Sequence, residues 1–428
     1  MKILCEYIAN PNNIVLKDTS FSIMGDKVSI GDDNSHSEYD IVVENSIAFP
    51  GLINIHDHLK YSWYKRIGKE DEQKKYDNVY QWLEDLYEVF DPVFSNADDE
   101  LSIMFQLGLY KQIFSATTTV LNHSRHSRNV LKPENQYINI AENVESEFVI
   151  QPKLISNRPT PTHSLQFNEN IKNAHDKAVK SQKAFMIHAA EGNDEATKKE
   201  INMLDEMEVL TPQTILVHCI NTDVKDIELI EKNKCSIVWC PYTGNSVIGK
   251  IADIKDIINK GINLCIGTDS SCSGSTNLLE ELRYAQKLYK EKFNAEISSS
   301  DLFNFVTYNP AKALMLENKI GKIADGFNAD IAIVDKKSEN IYDDILSSNP
   351  ENIIALFCNG TFIYGDEYFY RKISEQSKVE YTEFEIKKRK KVIIGNPQKA
   401  VQSFVETFNI KESVYFDFLP LELQKPKT

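Results

Sequence analysis

The sequence predicts an α/β fold whose central sheet is parallel, and three observations carry that expectation. From "AFPGLINIH" onward, apolar strand-like runs alternate with amphipathic helical stretches, the pattern of βα units. Several of those runs lead straight into His or Asp at their C-terminal ends. On either side, before about Phe49 and after about Leu316, the pattern changes to short β-type runs separated by polar turns.

The opening segment, 1–48, reads as a small sheet made of "KILCEYI", "NIVLKD", "KVSIGD" and "DIVVEN". The span 49–319 then supplies the strands "GLINIH", "TTTVLNH", "EFVIQPKLIS", "AFMIHAA", "TILVHC", "SIVWC" and "NLCIGTDS". Helices lie between them; in "NVYQWLEDLYEVF", Val79, Trp82, Leu83 and Leu86 follow helical spacing. A closed (β/α)₈ barrel of the TIM type needs roughly eight strands. One more is therefore expected between His123 and Lys183, by splitting "EFVIQPKLISNRPTPTHS" into two. From 320 to 392, "GKIADGFNADIAIVDKK" and "IIALFCNGTFIYGD" return to β-pattern, as though completing the first sheet. Residues 393–428 form a C-terminal extension to which the sequence assigns no role.

Composition narrows the function. The 428 residues exceed one average domain, although an α/β barrel absorbs ~250 as a single unit. A net charge of −15, from 63 acidic and 48 basic residues, argues against nucleic acid or an anionic membrane as partner. The one basic cluster, "KKRKK" at Lys387 to Lys391, reads as a solvated face. No stretch approaches the ~18 apolar residues of a membrane helix. The N-terminus carries Glu6 in its only apolar run, unlike a signal peptide. Seven scattered cysteines without a CxxC pair suggest reduced thiols. These features predict a soluble, cytoplasmic protein.

The strand ends carry the chemistry. "INIHDH", "MIHAAEG", "LVHC" and "CIGTDSS" place His56, His58, His188, His218 and Asp269 where parallel strands of a barrel open onto one face. His56 and His58, two residues apart, share one face of a regular strand. Imidazole nitrogens with a carboxylate oxygen suit a divalent zinc or iron and leave a position for water. Taken singly, a His after a strand is commonly a hydrogen-bonded rim residue, and "TDS" is commonly a helix cap. Five such residues at four strand ends favour a metal site.

Further pieces, "PGLINIHDHL", "ATTTVLNH", "IHAAEGNDEA", "ILVHC", "GTDSSCSG" with "LLEELRYA", and "TYNPAKAL" with "GKIADGFNADIAIVD", resemble the amidohydrolase superfamily. The likeness is to its cytosine deaminase, guanine deaminase and triazine hydrolase-like branch. It implies a (β/α)₈ TIM-type barrel, regular or distorted, with a small composite β-sandwich built from 1–48 and 320–392. It also implies that His56, His58, His188 and Asp269 ligate one divalent metal, zinc first and iron as the alternative. His218 then holds and polarises the attacking water, Asp269 accepts its proton, and Glu191 acts as general acid/base. A two-metal alternative would need a bridging lysine, for which Lys153 is the only one suitably placed.

On this reading the protein is a mononuclear metal-dependent aminohydrolase that deaminates an aminated heterocycle or cyclic amidine. Amide, ureido or carbon–chlorine hydrolysis on the same scaffold is the alternative, and a non-catalytic barrel comes last. The expected partner is a small-molecule substrate; a homo-oligomer is left open. Substrate-side candidates are Trp63 with Tyr64 after the first strand, His123 after the second, His163 in "THSL", and Arg158 and Arg125 nearby. The loop "CPYTGNSVIG" departs from the Cys-Pro-x-Ser-Asn pattern common in relatives, which leaves the substrate open.

Overall fold

The computed structural model describes the chain except residues 32–38, 70–73, 91–97, 124–136, 141–143, 148–167, 374–378, 410–415 and 425–428. The chain starts with β1 (Lys2–Asn10), β2 (Ile14–Met24), β3 (Lys27–Ile30) and β4 (Ile41–Pro50). Next come β5 (Leu52–Asp57), β6 (Thr117–Asn122), β7 (Asn139–Ile140), β8 (Val144–Glu147), β9 (Ala184–Ala189), β10 (Thr214–His218), β11 (Ser236–Trp239) and β12 (Asn263–Ile266). It returns through β13 (Ile331–Asp335), β14 (Ile353–Cys358), β15 (Thr361–Asp366), β16 (Tyr381–Ile386) and β17 (Arg389–Ile394).

One nine-stranded sheet draws on both ends of the chain, in the order β16-β17-β15-β14-β13-β4-β1-β2-β3. Its two halves meet where β13 runs antiparallel to β4. The "KKRKK" run begins in the β16–β17 turn and continues into β17. It is not a uniformly solvated face. Lys391 is fully buried, its Nζ donates to Ile353 O at 2.6 Å, and it pairs with Asp366 at 2.7 Å. Arg389 is ion-paired to both Asp335 and Asp366. Alternation explains the difference, because Arg389 and Lys391 share the strand face that meets these acids.

The middle strands are parallel. They form a three-stranded sheet, β5-β6-β7, and a five-stranded sheet, β12-β11-β10-β9-β8. β5, β6, β10 and β11 are buried throughout, as strands covered on both faces must be. Within each sheet, consecutive strands are neighbours. The two sheets touch at a parallel bridge between Asp57 and Asp269. There His58 N donates to Asp269 O at 2.8 Å, and Asp269 N donates to His56 O at 3.0 Å. At their other edges, β7 pairs with β6 and β8 pairs with β9. Sequence periodicity gives no sign of β7 or β8, because "NI" and "VESE" are too short and too polar to stand out. Beyond Glu147, the expected split of "EFVIQPKLISNRPTPTHS" lies outside the described residues.

An inner apolar cluster is fed by β5 (Ile53, Ile55), β6 (Leu121), β9 (Ala184, Met186), β10 (Ile215, Val217), β11 (Val238) and β12 (Cys265). It lies beneath the strand ends where the His and Asp residues collect. The C-terminal extension contributes the helix Pro397–Phe408, whose Phe404 packs on Trp63 with ring centroids 4.6 Å apart.

Candidate metal and acid–base site

β5 does not reach the site as a regular strand. Strict alternation would put Asn54 and Asp57 on opposite faces, yet Asn54 Nδ2 donates to Asp57 Oδ2 at 3.1 Å, and both meet Gln112. Ile55 joins the inner cluster, while its neighbour His56 lies against His188 with ring centroids 4.8 Å apart. A shift in the β5–β6 register between Asn54 and Asp57 reconciles these facts. It acts as a bulge, which re-aims side chains. His56 and His58, two residues apart, lie with ring centroids 5.0 Å apart at the end of this irregular strand.

The other strand ends are also bent. Ala190, His218, Cys219 and Asp269 all have positive φ, between 50° and 74°. Left-handed backbone at a non-glycine residue costs ~1–3 kcal/mol and collects at functional sites. Gly267 allows a close approach, since a Cβ there would lie 2.8 Å from His56 Cβ and 3.0 Å from its backbone N and O.

Asp269 is the focus of one half of the site. Its Oδ1 lies 3.4 Å from His56 Nε2 and 3.3 Å from His58 Nε2. Its Oδ2 accepts from Thr243 Oγ1 at 3.0 Å and from Ser273 Oγ at 2.8 Å. Burial would raise its pKa, but the two imidazoles outweigh that and hold the carboxyl well below its usual range. His188 approaches His56 and His123 on one side and Glu191 and His218 on the other, with ligand atoms inside 4.8 Å in each group.

The second half pairs His218 with Glu191, whose Oε1 is 3.4 Å from His218 Nε2. Burial first, then the charges of Asp269 and Glu200, push the Glu191 carboxyl well above its ordinary pKa. Burial brings the His218 imidazole down to about 3. Glu200 Oε2 accepts from Ala190 N at 2.6 Å and Val79 N donates to Glu191 O at 3.1 Å, so the Glu191 turn is tied on both sides.

The donors fit a divalent cation. Bonds of about 2.1 Å in a tetrahedron set ligand atoms about 3.4 Å apart, and the His56–Asp269 and His58–Asp269 separations of 3.4 and 3.3 Å match that. Among the described residues, the buried ring nitrogens of His56 and His218 find no hydrogen-bond partner of good geometry. Burial lowers the pKa values of His56 and His188, which keeps both neutral, the form that ligates.

Among the remaining candidates, His123 stacks on His188 with ring centroids 4.5 Å apart. Trp63 is buried in the core, its indole donating to Lys60 O at 2.8 Å, and Phe404 and Phe408 pack on it. Its ring is thus committed to packing rather than to a heterocycle. Tyr64 lies against Phe90. Arg125, Lys153, Arg158 and His163 lie outside the described residues. Sequence reasoning does not reach Thr243, Ser273 or Cys240, whose sulfur groups with His56 and His218. The only sequence signal for them is the crowding of Ser and Cys around "TDSSCSG" and "WCPYT".

The Amidohydrolase family model matches residues 47–363. A 5-methylthioadenosine/S-adenosylhomocysteine deaminase from Caldicellulosiruptor saccharolyticus is 24% identical over 395 residues, covering 83% of this chain and 89% of that protein. A zinc-bound adenosine deaminase structure from Xanthomonas campestris superposes with a TM-score of 0.70 at 16% identity, covering 84% of this chain and 92% of its own. A zinc complex of atrazine chlorohydrolase from Arthrobacter aurescens gives a TM-score of 0.68 at 17% identity, covering 84% and 95%.

Proposed function

We propose, for a chain that belongs to the amidohydrolase family, metal-dependent hydrolytic deamination that releases the amino group of a heterocycle as ammonia. We place the substrate among adenine nucleosides altered at the 5′ carbon. The deaminase names of the relatives support that choice. The observation that carries the reading is the pairing of two oppositely biased carboxyls, Asp269 and Glu191, around clustered imidazoles. Environments that push two carboxyl pKa values apart assign a base and an acid.

His56, His58, His188 and Asp269 are the proposed ligands of one zinc ion. When bound, zinc supplies Lewis acidity and lowers the pKa of water towards ~7. Asp269, kept ionised, takes the proton that the attacking water releases. Glu191, kept protonated by burial, gives its proton to the ring nitrogen next to the carbon under attack. The proton on Asp269 then passes to the amino group, which leaves as ammonia. As the carbonyl forms, the remaining hydroxyl proton returns to Glu191, restoring both carboxyls. His218 stays neutral and orients the water. The same proposal includes closure of the parallel strands into one barrel, supported by the Asp57–Asp269 bridge at one seam. Cytoplasmic residence is also part of it, on the acidic charge and seven free, buried cysteines.

A second reading, carbon–chlorine hydrolysis, is favoured by the chlorohydrolase neighbour. Elemental analysis with ammonia and chloride assays on a panel of 5′-deoxyadenosine, methylthioadenosine, adenosine and a chlorotriazine tests both. One equivalent of zinc with ammonia from a nucleoside is expected. Chloride release without ammonia, or two tightly held metals, would overturn the reading.

A further inference from the structure

We propose that Asp57 is a positioning residue. With Lys111 as its buried counter-charge, its carboxylate locks the bulged end of β5 to the end of β12, so that His56, His58 and Asp269 face one cation. This rests on reading those three as metal ligands.

Asp57 is the middle residue of "HDH", and neither its own side chain nor that of Lys111 has any solvent exposure. Its Oδ2 accepts from Thr268 Oγ1 at 2.8 Å, from Gln112 Nε2 at 2.8 Å and from Asn54 Nδ2 at 3.1 Å. It also faces Lys111 Nζ at 3.0 Å. Thr268 immediately precedes Asp269, and its N–H donates to Asn54 Oδ1 at 3.2 Å. Asn54 Nδ2 closes the loop by donating to Thr268 Oγ1 at 2.8 Å. The backbone of Asp57 joins in, its carbonyl accepting from His123 N at 2.8 Å. One carboxylate therefore touches β5 and the segment just after β12, which carry three of the four proposed ligands, and the helix Asp98–Ile113.

None of these contacts is a hydrogen bond to an imidazole, so Asp57 orients the ligands through the backbone, with its charge also felt by His56. The register it fixes is the one in which His58 N meets Asp269 O and Asp269 N meets His56 O. A simple buried ion pair would need no such company. The three neutral donors on Oδ2 come from the two strands and the helix, which is the arrangement of a clamp. Lys111 makes the clamp tolerable in a dry interior, because a buried carboxylate without a counter-charge is costly. Groups that orient ligands without binding the metal are commonly worth about 10–100-fold in metal affinity.

The test measures zinc affinity by chelator competition, together with the thermal midpoint of the zinc-free protein. The variants are Asp57→Asn, Lys111→Met, the double variant and the milder Thr268→Val, each checked for folding by circular dichroism. Asp57→Asn and Thr268→Val are expected to weaken zinc binding ~10–100-fold while the protein stays folded. Lys111→Met should lower the midpoint and leave zinc affinity close to that of the natural protein. The double variant should recover much of the midpoint but not the affinity, a split that a purely structural pair would not produce. Unchanged affinity in Asp57→Asn, or affinity that returns with the midpoint in the double variant, would overturn the proposal. Should Asp57→Asn not fold, the zinc affinity of Thr268→Val decides by the same criterion. If the natural protein binds no zinc, the ligand reading itself fails, and the clamp with it.

Discussion

The seam between β5 and β12 and the neighbouring ends of β9 and β10 present similar side chains in opposite settings. At the seam every carboxylate is tied. Asp269 has two hydroxyl donors and two imidazoles, and Asp57 has three donors and an ammonium. At β9 and β10 the backbone is tied, but the reactive groups are merely dry. As at His56, the nitrogens of His218 make no hydrogen bond of good geometry among the described residues, and burial pushes the Glu191 carboxyl well up. The contrast follows from the two tasks. Holding a cation needs fixed geometry and charge, whereas moving a proton needs a carboxyl whose pKa has been lifted toward the working pH.

The most disruptive test removes His188, which belongs to both halves. His188→Ala should lose zinc and activity together, exceeding the ~10⁴-fold that an acid–base group alone can supply; elemental analysis and turnover check it. Glu191→Gln breaks only the dry half. It should keep metal and thermal midpoint while turnover falls ~10²–10⁴-fold. Full turnover in that variant would leave Asp269 acting alone. At the seam, Gly267→Ala forces a Cβ against His56. It should cost about 1–3 kcal/mol of stability, as overpacking does, with reduced zinc occupancy.

Ser273→Ala sharpens the comparison more gently. Loss of one hydrogen bond to the ionised Asp269 should lower kcat/KM by ~10-fold or somewhat more, with the metal retained. Trp63→Phe should have the smallest effect on catalysis. It removes the bond to Lys60 O and some packing, about 1 kcal/mol in stability, and should leave KM unchanged in steady-state assays. A large rise in KM would restore Trp63 as a substrate platform.

The halves also differ in how legible they are. His188 and His218 stand out in the sequence because each ends an apolar run, whereas Glu191 is singled out only by the family resemblance. His56 and His58 stand out because residues two apart share a strand face, while the register shift between Asn54 and Asp57 just before them does not show in the sequence. No periodicity reports a bulge, since it appears only against the partner strand. Asp57, Thr243 and Ser273 stay hidden because their partners lie across turns, across the seam at Thr268, or on the helix Asp98–Ile113 at Gln112. Both readings of Trp63, packing or a substrate platform, stay open in the sequence because its cover, Phe404, comes from the C-terminal extension, to which sequence assigns no role. The all-buried strands are evident, whereas β7 and β8 carry too few apolar residues to register.

Anomalous scattering from crystals, recorded at the zinc edge, tests the central division of labour most directly. That division predicts one peak per chain, ~2.0–2.2 Å from His56 Nε2, His58 Nε2, a ring nitrogen of His188 and Asp269 Oδ1, with Glu191 outside bonding distance. A peak bonded to Glu191 and His218 instead, or two peaks per chain, would contradict it.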